Sequence, residues 1–182
     1  MFGIMETNLP DLQYPIGKPT LPDGPLTPAE RTVYINQLAA LPAQLTAAAR
    51  KAGGVRLENS YRPGGWSGRQ VLHHVADVHQ NFDMRFRLAL TEDNPTIRPF
   101  DMNAWAELPD VAASPVTVSL MLLEAVHSRW VTLLWHLTDE QWQRTFYHPS
   151  YQRTYTLDQA LAQYSWHGRH HLAHIELLSR EG

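Results

Sequence analysis

At 182 residues, with 43% hydrophobic side chains, five Phe, six Trp and seven Tyr, the chain has the length of one domain and the material for a full core. A formal charge of -3 and a pI near 6.3 give no electrostatic reason to expect nucleic acid or an anionic membrane as a partner. Cysteine is absent, which excludes disulfides, a thiolate nucleophile and Cys-ligated zinc, so any metal must be held by His, Asp or Glu.

From the N-terminus, "MFGIMETNLPDLQYPIG" has no basic stretch followed by an apolar run, and no segment reaches the roughly 18 apolar residues of a membrane span. The expectation is a cytoplasmic protein with no membrane or nucleic-acid partner. Prolines at positions 10, 15, 19, 22, 25 and 28 rule out a continuous helix or a central strand. Residues 1–26 are therefore expected to form an extended strap over a single domain made by residues 27–182. Thr27, Pro28 and Glu30 supply an N-cap, a proline at the first helical position and a capping-box acid for a helix through "AERTVYINQLAALPAQLTAAARKA", which Pro42 should bend or divide. The turn-rich "NSYRPGGWSGRQ" ends in a second capping box, Ser67 with Gln70, which opens a helix from about Gly68 to Leu90. After the proline-punctuated loop "TEDNPTIRPFDMNAWAELPD", a third helix spans about Pro115 to Leu137, with Leu120, Leu123, His127, Trp130, Leu134 and Leu137 along one seam. Thr138 and Gln141 cap a short turn, and "FYHPSYQRTYT" suits a small hairpin or an irregular loop. Thr156 and Gln159 then cap a last helix, Leu157 to Ser179. Four long helical patterns without a convincing run of strands predict an all-α bundle, in which sites are built from side chains on facing helices.

The chemistry-bearing residue is histidine. Of ten, three are His73, His74 and His79 and four are His167, His170, His171 and His174, in two clusters on two different helices. On the last helix His171 sits inside the apolar stripe, with His167 four residues before it and His174 three after it on the same side, while His170 points away. An i, i+4 pair lets one helix present two nitrogens to one metal, as in HExxH peptidases, but the glutamate of that motif is missing. On the second helix His74 and His79 flank the stripe of Val71, Val75, Val78 and Phe82, and His73 faces roughly outward. Asp77 is spaced to accept from an imidazole, although a solvated surface position is the better explanation of it. His127 is divided between a hydrogen-bonded core residue and a group lining the site, and His136 and His148 read as surface or loop residues. The two clusters together favour a metal held between helices over unrelated core histidines.

The stretches "LQYPIGK", "YRPGGWSGRQVLHHVADVHQNFDMRFRLALTEDNPTIRPFDMNAWAEL", "LLEAVHSRW" and "YSWHGRHHLAHI" resemble the YfiT group of the DinB-like superfamily, over nearly the whole chain from Leu12 to Arg180. The resemblance implies a DinB-like four-helix bundle, one divalent metal per chain, zinc or nickel, held by three histidines, and a homodimer. Carried over residue by residue, it implies that the ligands are His74, His167 and His171. It assigns no ligand role to His73, His79, His170 or His174, of which either His79 or His174 could stand behind the ligands. Gly68 stands where the group more usually has a larger helix former, a difference expected to weaken the helix start without touching the site.

Two activities go with this resemblance. The group carries a metal-dependent hydrolase label, and the wider superfamily includes enzymes that join bacillithiol, mycothiol or glutathione to electrophiles. Three neutral imidazoles leave at least one coordination position open. A water there, its pKa lowered to about 7, would supply hydroxide for attack on an ester or amide, and a small thiol there would be deprotonated for attack on an electrophilic carbon. With no obvious general base beside the ligands, thiol transfer is the preferred expectation and hydrolysis the alternative. A non-catalytic metal-binding stress-response module is the third, and it calls for a fourth protein ligand, for which His127 is the candidate. Trp66, Arg98, Asp101 and Trp105 are candidates for the substrate pocket, with turn formation an equal explanation of Asp101. Arg85 lies roughly 16 Å along the helix axis from His74 and is given no role.

Overall fold

The computed structural model describes residues 11–179, so the first ten residues of the expected strap and the last three of the chain lie outside the described residues. In chain order the elements are α1 (Pro28–Ala52), α2 (Gly54–Leu57), α3 (Gly68–Thr91), α4 (Met102–Ala106), α5 (Pro109–Ala113), α6 (Val116–Trp135), α7 (Asp139–Trp142), β1 (Thr145–His148), β2 (Arg153–Thr156) and α8 (Leu157–Leu177), with a 3-10 turn at Pro149–Tyr151 between the strands. The capping boxes expected at Thr27, Ser67, Thr138 and Thr156 are all formed, each with both of its reciprocal hydrogen bonds. They set the starts of α1, α3, α7 and α8. The segment "FYHPSYQRTYT" is an antiparallel hairpin that pairs Phe146 with Tyr155, both directed inward.

The bundle consists of α1, α3, α6 and α8. Both α1 and α3 pack against α6 and α8, which places the first two long helices diagonally. The described part of the strap lies along α8: Trp166 Nε1 donates to the Gly17 carbonyl at 3.1 Å and Gln159 Nε2 to the Pro22 carbonyl at 3.2 Å. At its end the Leu26 amide donates to the Asp158 carboxylate, which also takes two hydrogen bonds from the buried Arg31. Among the described residues no single helix is long and apolar enough to cross a membrane.

The structure differs from two expectations. Pro42 does not divide α1, which runs unbroken with Pro42 buried inside it. The helices α2, α4 and α5, all too short for a periodicity to show, interrupt what the sequence presents as loops. At Gly68, beyond its effect on the helix start, packing is tight: a Cβ there would lie 2.5 Å from Leu178 Cδ1 and 3.2 Å from the Leu57 Cα. A larger residue would have to turn the Leu178 and Leu57 side chains aside and would crowd the Leu57 backbone.

The apolar core is in two pieces. One surrounds Trp130, Phe86, Phe146, Leu38, Val78 and Tyr164, and the other Leu41, Leu45, Val71, Val75, Leu123 and Ile175. Along α3, α6 and α8 the change from one piece to the other falls beside a histidine: His79 follows Val78, His127 separates Leu123 from Trp130, and His167 and His171 separate Tyr164 from Ile175; on α1, which has none, it falls between Leu38 and Leu41. A layer of imidazoles crosses the bundle at this level.

Candidate metal centre

Burying several imidazoles is costly unless their nitrogens find partners, and here they do so in two chains. The first begins at Pro42, which has no N–H, so the Leu38 carbonyl one turn before it lacks its helical donor. His127 Nδ1 donates to that carbonyl at 2.7 Å. A carbonyl can only accept, and burial lowers the His127 pKa to about 4, so the ring is neutral and its Nε2 is an acceptor. His79 Nδ1 donates to it at 2.9 Å, which makes His79 Nε2 the acceptor for His167 Nδ1 at 3.1 Å. The second chain begins in the strap. His174 Nε2 donates to the Gln13 carbonyl at 3.3 Å, and His174 Nδ1 then accepts from His171 Nδ1 at 3.3 Å. In both chains the last ring keeps its proton on Nδ1 and is left with a bare Nε2.

His167 and His171 are those last rings. With His74 of α3 they form a group whose nitrogens, one from each residue, all lie within 4.8 Å of one another. His74 stands against Trp66, edge to face with centroids 4.6 Å apart. Burial, with like-charge pressure from the neighbouring rings, lowers the pKa of His167 and His171 well below the ordinary histidine value, and burial first and His170 second lower His74 to about 4. All three are therefore neutral near pH 7, as metal ligands must be. A tetrahedral ion with metal–nitrogen bonds of about 2.0–2.1 Å needs nitrogens roughly 3.4 Å apart, within reach of small side-chain rotations. The donor set fits a divalent transition metal, with two ligands already fixed in tautomer by neighbours that hold their other nitrogen.

His170, His171 and His174 also bring nitrogens within 4.8 Å of one another. In that group both His174 nitrogens are occupied, by Gln13 and by His171, so His174 serves to orient His171. His127 is likewise unavailable as a fourth ligand, since both its nitrogens are bonded inside the core. Gly168 lets α8 close onto α1 in this layer: a Cβ there would lie 2.4 Å from Leu41 Cδ2 and 3.3 Å from His79 Cε1.

The group opens onto a cavity of about 530 Å³ that includes Trp66, Phe82, Phe100, Tyr155, Tyr164 and Trp166 in its walls. Of the residues expected around a pocket, Trp66 is there, but Arg98, Asp101 and Trp105 do not line it. Asp101 instead caps α4 by accepting from the Asn103 and Ala104 amides, and Trp105 packs on Phe100. Three histidines expected to be exposed are buried. His73 bonds Ser119 on α6, because α3 is covered on two sides and not only along its apolar stripe. His170 is stacked on Trp166 and covered by Tyr14 of the strap. His148 on β1 turns into the cavity wall, as does Arg85, to which axial distance from His74 assigns no role. Asp77 is half-buried and makes no side-chain bond to a histidine among the described residues, and His136 is exposed as expected.

Residues 37–175 match the family model of the DinB superfamily. A Bacillus cereus protein named "Putative metal-dependent hydrolase" is 48% identical over 170 residues, covering 93% of this chain and 96% of the relative. The Bacillus subtilis protein YfiT, which bears the same name, is 45% identical over 93% of this chain and 95% of its own. The solved structure of YfiT superposes with a TM-score of 0.90 at 44% identity, over 93% of this chain and 96% of that one, and is described as having an unusual four-helix bundle topology.

Proposed function

The chain belongs to the DinB superfamily, and within it we propose that this protein is a metalloenzyme whose His74, His167 and His171 hold one divalent ion, zinc or nickel, and which transfers a low-molecular-weight thiol to an electrophilic substrate. The observation that carries the metal role is the pair of hydrogen-bond chains that leave Nε2 of His167 and of His171 bare beside His74. A divalent ion held by three neutral imidazoles supplies positive charge and an open position that acidify a bound thiol or water. The cavity residues do the rest: aromatic walls bind the body of the substrate and exclude water, and Trp66 holds the His74 ring at their edge. No Asp or Glu is among the described residues that line the cavity. That supports thiol transfer, since a thiol once ionised needs no further base. Hydrolysis is the second reading, favoured by the names of the relatives.

The reading places the enzyme in the cytoplasm, where small thiols stay reduced, and pairs it as a homodimer, for which Val118, Met121 and Leu122 give α6 an exposed apolar face. The test is anaerobic turnover of zinc- and nickel-loaded protein with several thiols and a model alkylating electrophile, beside an ester. Thiol consumption matched by conjugate is expected, and is lost in His74→Ala. Ester cleavage without thiol consumption would replace this reading with hydrolysis.

A further inference from the structure

Arg85 is 8% exposed, lines the cavity, and has no carboxylate within ion-pair distance among the described residues. A guanidinium carries five N–H donors. Among the described residues its single side-chain hydrogen bond is to the Tyr164 hydroxyl at 3.4 Å, and the guanidinium carbon lies 5.5 Å from the Phe82 ring centre. A buried charge left this short of partners is costly, and the deficit is of the kind that an anion fills with paired N–H···O bonds. Two further observations mark the same corner. His148 also lines the cavity, near enough that after burial the Arg85 charge further lowers its pKa, and its buried Nδ1 has no partner among the described residues; the Tyr164 hydroxyl is held against Arg85. Nothing acidic is among the described residues of the wall to compete for the site.

The corner lies close to the metal centre. The Phe82 ring is 5.5 Å from the Arg85 guanidinium and 5.3 Å from the His167 ring, so guanidinium and ligand ring are at most about 11 Å apart. Phe82 is stacked on Tyr164, with centroids 3.4 Å apart and rings nearly parallel, and this pair is the floor between them.

We propose that Arg85, with His148 and Tyr164, is an anion-binding subsite, and that the ligand of this cavity is a small amphipathic molecule whose carboxylate seats on Arg85 while its apolar body lies over Phe82 toward the three-histidine group. The proposal deepens the function given above by naming the ligand's chemical class. The carboxylate belongs either to the electrophile or to the thiol.

The test is direct binding to the metal-free protein, followed by tryptophan fluorescence, of phenylacetate and of its neutral counterpart phenylacetamide. Phenylacetate is expected to bind about tenfold more tightly or better. Arg85→Gln should bring the two ligands to equal affinity, and Arg85→Lys should restore part of the preference. Equal affinity of the two for the unaltered protein would overturn the proposal without reliance on any variant. His74→Ala should keep the preference for phenylacetate, so failure of the metal reading and failure of the anion subsite are separate results. Turnover with carboxylated and uncharged members of a thiol pair and of an electrophile pair then assigns the anion: the pair whose KM ratio collapses in Arg85→Gln carries it. No collapse in either pair would refute the role in turnover.

Discussion

Replacing His79 with leucine tests the hydrogen-bond chain at its centre. His79 is fully buried and joins His127 Nε2 at 2.9 Å to His167 Nδ1 at 3.1 Å. Leucine fills most of the imidazole's volume, so little cavity forms, but it leaves one buried acceptor on His127 and one buried donor on His167. Each unsatisfied group costs about 1–3 kcal/mol, which predicts that the metal-free His79→Leu protein loses roughly 2–6 kcal/mol of unfolding free energy in urea. The second effect is on the metal. Without an acceptor for its Nδ1–H, His167 no longer holds its tautomer and orientation, and removal of such a partner costs about 10–100-fold in metal affinity. Zinc affinity is read by chelator competition at about pH 7, with circular dichroism to confirm the helices. His136→Leu is the control, since that ring is exposed and among the described residues bonds only the Thr132 carbonyl one turn before it; it should change neither quantity. A folded His79→Leu protein with unaltered zinc affinity would refute the orienting role, even if its stability fell.

Three more outcomes are expected from the same layer and its surroundings. Gly168→Ala puts a methyl group 2.4 Å from Leu41 Cδ2 and against His79, and should cost about 1–3 kcal/mol in urea unfolding through overpacking. Asp158→Ala removes the acceptor of the Leu26 amide and two of the buried Arg31 guanidinium's hydrogen bonds, leaving it the exposed Asp139, and should cost about 2–4 kcal/mol by the same measurement, partly by freeing the end of the strap. Acid should unfold the chelator-treated protein: burial lowers His74, His127, His170 and His174 from 6.5 to about 4, so below pH 6.5 the unfolded chain takes up protons that the native state refuses until about pH 4. That stability is complete above pH 6.5 and is lost as pH falls toward 4. Asp77, raised to about 6 by burial and then by Asp110, has the opposite sign but is one group against several. Between about pH 6.5 and 4.5 the slope should exceed the single-proton value of ~1.4 kcal/mol per pH unit, and a flat urea midpoint over that range would show that the histidines are not held neutral.

The parts legible in the sequence were those with local causes. A capping box is written in four consecutive residues, so Thr27, Ser67, Thr138 and Thr156 announced their helix starts, and the i, i+4 spacing of His167 and His171 put both on one face. What failed was any inference that needed to know what covers a helix. Periodicity assumes one buried face, yet α3 is enclosed by α6 and α8, which buries His73, and the strap covers the outer side of α8, which buries His170. Axial distance from His74 gives Arg85 no role, because it is a measure blind to a cavity that runs along α3 and is closed by the hairpin carrying His148. The short helices α4 and α5 left signals only at their first residues, the Asp101 cap and Pro109.

Pro42 is the position where a legible feature had an illegible purpose. The sequence marks it as a helix breaker, but α1 does not break; the missing N–H instead releases the Leu38 carbonyl, and His127 takes it. The other chain also ends on a main-chain carbonyl, that of Gln13 in a strap with no helical donors of its own. A carboxylate at either end would draw its histidine toward the imidazolium form and bring negative charge into the layer. A carbonyl accepts one hydrogen bond and leaves the ring neutral, so each chain has a fixed direction and adds no charge. The three-histidine group then keeps the full positive charge of a bound ion for the ligand in its open position, which is where acidifying a thiol or a water requires it.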